Sequence, residues 1–299
     1  NIALGSNTLG GAITTGDNNI ALGFNAADAL TSGACNIAIG TNALRVVTSG
    51  HSNIAIGKDA YSAATIGIKN IMIGCNVANG ITTGQADENI AIGTYALTGS
   101  ASTTGNRNVA IGYGAFDAIT TGACNVAIGE NALGASTTGS QNIAIGRLAL
   151  GGADTTGTDN IAMGTNSADA MTSGACNIAI GYTALSAATN NNDNVAIGKS
   201  ALAATVNDGD CNIAIGSVAL GGADVSGDHN IALGANAADA LTTGHRNIAI
   251  GIGALGAATD NCDNIAIGEF ALTASDGDGD QNIAIGKTAM GGADVSGAN

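Results

Sequence analysis

The stretch Asn142-Ile143-Ala144-Ile145-Gly146, followed by Ala149-Leu150 and closed by Thr155-Thr156-Gly157, decides how the whole 299-residue chain is read. Apolar residues alternating over five positions describe a short β-strand, whereas a helix needs them three and four apart. The block recurs with its Asn at 1, 19, 36, 53, 70, 89, 108, 125, 142, 160, 177, 194, 212, 230, 247, 264 and 282, giving 17 complete repeats of 17 to 19 residues. Self-similarity at a fixed short period is the signature of a stacked array. With the Asn as position 0, positions 1 and 3 are Ile, Val, Leu or Met in every copy. Position 2 is Ala in 16 of 17 copies, with Met72 the exception, and position 4 is Gly in all 17.

Three residues before each following Asn stands Gly in 13 cases, Asn at 191 and 261, and Ala at 86. Gly and Asn tolerate positive φ, so this position is expected to be a left-handed turn. A longer period runs through the array: Gly151-Gly152-Ala153-Asp154, Gly221-Gly222-Ala223-Asp224 and Gly291-Gly292-Ala293-Asp294 lie 70 residues apart. Ala168-Asp169-Ala170-Met171 and Ala238-Asp239-Ala240-Leu241 share that offset, and Ala27-Asp28-Ala29-Leu30 has the same form.

The expected fold is all-β: a β-solenoid, a parallel β-roll or β-helix, of 17 coils of 17–19 residues, forming one continuous array over 1–299. The chain opens in mid-pattern, which reads as an excerpt of a longer fibre. Equivalent residues then stack one above another. Asn36, Asn53, Asn142 and Asn177 are expected to form a hydrogen-bonded ladder, with Gly40, Gly57, Gly146 and Gly181 stacked beside it. Two Ile and one Leu per repeat are expected to bury. The strand face opposite Ile carries Asn, Ala and Gly, where a solvated face would carry Lys, Glu, Thr and Ser. That small face is expected to be buried too, against the coil's other wall or against another chain.

Composition excludes several classes. Proline and tryptophan are absent and aromatics make up 2 %, too little bulk for an ordinary globular core. Charged residues are only 10 % and mean hydropathy is +0.27, which argues against disorder. The net charge of −15 disfavours nucleic acid and anionic membrane surfaces as partners, and no apolar run is long enough to span a bilayer.

Catalytic chemistry finds little support. The three histidines, His51, His229 and His245, sit in turns and are expected to lie tens of ångströms apart, so no histidine-based triad or metal cluster is available and the chain reads as a non-enzyme. Of six cysteines, Cys35, Cys124, Cys176 and Cys211 immediately precede a repeat Asn. None of these four occurs in neighbouring repeats, so intrachain disulfides are not expected, and free, small, buried residues are. Asp276-Gly277-Asp278-Gly279-Asp280 resembles alternating oxygen ligands and makes Asp276, Asp278 and Asp280 a weak calcium candidate, calcium being the one cofactor considered. Positions 5 and 6 are the most variable. They hold Phe24, Tyr95, Tyr113, Tyr182 and Phe270, which are expected to face water and stack on a sugar or dock a partner.

The residues quoted first resemble two families. One is the head repeats of trimeric autotransporter adhesins, whose parallel β-roll carries a motif close to N-x-A-x-G-x-x-[SA]-x-A. The other, closer still, is the N-T-A-[IV]-G-x-x-A-L-x-x-N-T-T-G arrays of phage-type tail fibres. The likeness extends over essentially the whole chain, with Ile or Val here where those arrays often have Thr or Ser at position 1. It implies an elongated homotrimeric fibre, extracellular on a cell surface or a virion, that attaches to a surface receptor or glycan. The alternatives are a self-assembling surface filament built end to end, and ice binding through the Thr-Thr-Gly turns.

Overall fold

The computed structural model describes residues 1–10, 13–82, 86–100, 102–206, 209–274 and 279–292. The chain divides into two compact units, Asn1–Thr156 and Gly157–Asn299. In the first, nine three-residue strands recur once per coil: β1 (Ile2–Leu4), β2 (Ile20–Leu22), β3 (Ile37–Ile39), β4 (Ile54–Ile56), β5 (Ile71–Ile73), β6 (Ile90–Ile92), β7 (Val109–Ile111), β8 (Val126–Ile128) and β9 (Ile143–Ile145). The second holds eight: β10 (Ile161–Met163), β11 (Ile178–Ile180), β12 (Val195–Ile197), β13 (Ile213–Ile215), β14 (Ile231–Leu233), β15 (Ile248–Ile250), β16 (Ile265–Ile267) and β17 (Ile283–Ile285). Within each unit every strand pairs in parallel with the next, like on like: Ile37 with Ile54, Ala38 with Ala55, Ile39 with Ile56. No helix occurs among the described residues, so each unit is an all-β parallel solenoid.

The lumen of the coil is narrow, and this decides which side chains face it. From β2 to β17 the central strand residue, Ala or Met72, is buried, together with the Asn that precedes the strand. The small face therefore closes on the coil's own opposite wall, which carries mostly Ala at position 7, with Val77 and Ser167 as exceptions, and Leu, Ala, Tyr61 or Phe116 at position 8. Ile at positions 1 and 3 points outward and is half-buried or exposed in every strand, contrary to the expected burial. A branched side chain on the inner face of a three-residue strand would strike the opposite wall, whereas alanine fills the gap.

Size is traded inside many of the coils. Where position 8 is Ala, position 11 is large, as in Ala27 with Leu30, Ala78 with Ile81, Ala168 with Met171 and Ala238 with Leu241. Where position 8 is large, position 11 is often small, as in Tyr61 with Ala64, Leu185 with Ala188 and Leu255 with Ala258, whereas Phe116 with Ile119 and Leu44 with Val47 keep two large residues. The Ala-Asp-Ala-[LM] blocks are this exchange, made at nearly constant lumen volume.

The glycines three residues before each Asn correct a second expectation. Apart from Gly67, with φ 141°, those described have ordinary φ. They are required by close approach instead: a Cβ on Gly50 would stand 2.5 Å from the Gly67 carbonyl oxygen of the next coil. The left-handed positions are −1, 6 and 8, and most carry side chains: Ser52 (φ 58°), Asn42 (φ 58°) and Leu44 (φ 52°) in one stretch of chain. Left-handed backbone costs an L-residue about 1–2 kcal/mol. Inter-coil ladders hold it there, since Ser52 N–H donates to Ala34 O (3.0 Å), Asn42 N–H to Phe24 O (2.9 Å) and Leu44 N–H to Ala60 O (3.1 Å).

Candidate interaction surfaces

The expected Asn ladder is present and joins three levels of the stack. Asn53 Nδ2 donates to Asn36 Oδ1 of the preceding coil (3.1 Å) and to Gly67 O at the end of its own coil (2.8 Å). Its Oδ1 accepts from Asn70 N–H (3.0 Å) and Asn70 Nδ2 (3.2 Å). Asn36 and Asn177 repeat the pattern, and Asn142 N–H donates to Asn125 Oδ1 at 2.9 Å. Beside it the position-4 glycines Gly40, Gly57, Gly146 and Gly181 have φ 128–137°, a region that side chains avoid. A Cβ on Gly40 would also lie 2.5 Å from Gly57 O. These residues are architecture: the Asn side chains are closed within the lumen, and the glycines are half-buried at its corner.

The outer strand face is chemically uniform. Positions 1 and 3 are aliphatic or Met in all 17 strands. Within the runs of strands the face reaches 37 % exposure at Ile92, 38 % at Met163 and Ile215 and 36 % at Ile250. In the first unit, nine strands at about 4.8 Å spacing make the strip about 38 Å long, with its two ranks about 7 Å apart. Length times rank separation gives about 270 Å² of continuous apolar surface, comparable with the largest patch on an ordinary soluble monomer, which is often functional.

The edge beyond the strand is the opposite in character. Phe24, Tyr95, Tyr113, Tyr182 and Phe270 are all exposed there, as expected. Tyr95 and Tyr113, in consecutive coils, meet edge to face with ring centroids 5.9 Å apart. The pair leaves ring surface open to water. The other aromatics do not join them in a cluster. Charges stack along the same edge and the corner before the strand: Glu269 pairs with Lys287 (2.8 Å), Glu88 with Lys69 (3.2 Å) and Arg107 (3.0 Å), and Arg246 binds Asp263 at 2.6 and 2.9 Å. The Arg107 hydrogen bond, and then Lys69, hold the Glu88 carboxyl below its usual range. The hydrogen bond from Arg246 does the same for Asp263.

Two expectations at this corner are corrected. All six cysteines are free, but Cys35, Cys124 and Cys176 are exposed and the other three half-buried. Their left-handed or edge positions put the side chain outside the narrow lumen. His229 and His245 are neighbours along the stack, since the coils they close follow one another. Asp228 N–H donates to His245 Nδ1 at 2.9 Å. Among the described residues no group of three or more His, Cys, Asp or Glu is gathered to hold a metal ion. Of the calcium candidates, Asp276 and Asp278 lie outside the described residues, and Asp280 Oδ1 accepts Cys262 N–H at 2.7 Å.

The threonines at position 12 make a rank that the sequence does not assign to the backbone ladder. Thr31, Thr48 and Thr65 hydroxyls donate to the carbonyls of Thr48, Thr65 and Thr82 in the next coil, at 3.0–3.2 Å. No described helix is long and apolar enough to cross a membrane. Compared with protein-family models, curated proteins and solved structures, the chain matches none.

Proposed function

We propose that this chain is a structural segment of an extracellular attachment fibre, in which several copies pack along their isoleucine faces. Three copies is the number the resemblance to adhesin heads and tail fibres implies. One observation carries the reading: the outer strand face is aliphatic in every coil, with no charge or hydroxyl in either rank. A face meant for water would carry Lys, Thr or Glu. In contact with another copy the strip buries, and the stacked ladders make a stiff support. The variable edges, with Phe24, Tyr95, Tyr113, Tyr182 and Phe270, then remain outside to meet a receptor or glycan. This role uses no catalytic group, metal or nucleic acid.

The variant Ile178→Lys/Ile180→Lys tests the assembly. The wild type is expected to be multimeric and the variant monomeric with an unchanged strand spectrum. A wild type that stays monomeric at every concentration overturns the reading. For attachment, Tyr95→Ser/Tyr113→Ser is expected to weaken glycan-array binding without altering mass, and binding that survives removal of all five edge aromatics overturns that role. Ice binding through the threonines has less support, because the position-12 hydroxyls are engaged by carbonyls of the next coil. End-to-end filament growth is the outcome read from a mass that rises without limit.

A further inference from the structure

Two oxygens inside the second unit have no hydrogen-bond partner: Asn191 Oδ1 and Thr205 Oγ1, both on side chains that are fully buried. They belong to consecutive coils and converge on Gly209. Asn191 Nδ2 donates to Gly209 O at 3.1 Å, and the ladder residue Asn194 donates to the same oxygen at 2.8 Å. The Thr205 methyl lies 3.2 Å from the point where a Gly209 Cβ would stand. Gly209 O thus already accepts two bonds and offers nothing to the Thr205 hydroxyl.

In three other pairs of coils the same two places hold no polar side chain. Gly33 is matched by Val47 in the next coil, Gly157 by Met171, and Gly227 by Leu241. Where a hydroxyl does enter the lumen at position 11 of another coil, at Ser136, it donates to Thr155 O at 2.6 Å. Asn191 and Thr205 therefore depart from the pattern together. The sequence repeats the pair 70 residues later, as Asn261 and Ser275, the latter outside the described residues.

A buried amide oxygen and a buried hydroxyl that do not reach each other are complementary to one small neutral molecule that donates to the first and accepts from the second. A cation is a poor occupant, because no carboxylate among the described residues is buried here and Gly209 O already accepts two hydrogen bonds. We infer that Asn191 and Thr205 enclose one bound water, which bridges coil 177–193 to coil 194–211. The bridge gives these two coils a polar match that their apolar neighbours lack, and so distinguishes their stacking register from a slip by one coil.

The test combines a high-resolution crystal structure with a count of long-lived waters by oxygen-17 relaxation dispersion. Three proteins are compared: wild type, Thr205→Val and Asn191→Gly/Thr205→Val. A density peak within hydrogen-bond reach of both oxygens is expected, with one long-lived water fewer in each variant. The double variant, which restores the pattern of the other coils, is expected to melt above Thr205→Val. An empty site with the hydroxyl bonded directly to Asn191, or an unchanged water count in both variants, overturns the inference.

Discussion

Within one strand, Ala179 and its neighbours Ile178 and Ile180 invert the usual relation between hydrophobicity and burial. Ala179 is fully buried in the lumen, while the two isoleucines stand outside, half-buried against each other and the next coil. The inner face is selected for size, because most coils admit only small residues beside one larger side chain, the coils of Met72 with Val77 and Ile81 and of Phe116 with Ile119 holding more. The outer face is selected for apolarity, which a lone chain in water does not require. The comparison separates what holds a coil together from what, in the proposed assembly, would hold copies together, and each side can be tested without the other.

The largest effect is expected inside. Asn53→Ala leaves Gly67 O and the Asn70 N–H without their partners, while Asn36 Oδ1 keeps the backbone N–H of residue 53 and Asn70 Nδ2 keeps Ala86 O, at about 1–3 kcal/mol for each buried group left unpaired. Denaturant titration should show a loss of about 2–6 kcal/mol, at its upper end enough to unfold a marginal domain. Overpacking comes next. Ala179→Leu is expected to cost about 1–3 kcal/mol by the same measurement. An unperturbed Ala179→Leu protein would break the argument that the lumen is size-limited.

Outside, the expectation reverses. Ile180→Lys should cost the isolated solenoid only about 1 kcal/mol, since the side chain is half-buried. Its mass in solution should nonetheless fall to that of one chain. If instead the coil itself unfolds, isoleucine serves the coil and the comparison fails.

The smallest effects belong to the exposed ion pairs, read through pH and salt. Glu88 has a folded-state carboxyl held below its unfolded value, so its contribution is present above the ordinary range near about 4.3 and is lost as pH falls through the folded value. Glu88→Gln should remove that part of the acid dependence, and added salt should mimic it. Asp117, Asp169 and Asp239 act in the opposite sense. Burial raises each, so each opposes folding above its folded value and the cost is relieved on acidification. Asp239→Asn should therefore raise the melting temperature at neutral pH and lose that advantage in acid.

Much of the fold is legible in the sequence, because every coil repeats the same solution. The Asn spacing locates each strand, the invariant Gly at position 4 marks a backbone region closed to side chains, and variability at positions 5 and 6 marks the exposed edge. Which strand face points inward is not legible from alternation alone, since both faces avoid charge. The width of the lumen decides it, and that width depends on where the opposite wall falls. The left-handed turns were readable only in part. Asn or Asp at position 6, as in Asn25, Asn42, Asp59 and Asn76, is a signal for such a turn. Cys35, Lys69 and Arg107 at position −1 carry none, because inter-coil hydrogen bonds rather than local preference impose the conformation there. The neighbouring pair His229 and His245 required counting coils rather than residues.

The direct test of the outer face is the absolute mass of the wild-type chain by light scattering over a range of concentrations. Packing along the isoleucine face in the proposed trimer predicts three times 28.6 kDa, about 86 kDa, independent of dilution until dissociation. A steady 28.6 kDa at every concentration would contradict it, since the aliphatic ranks would then face water in the working protein.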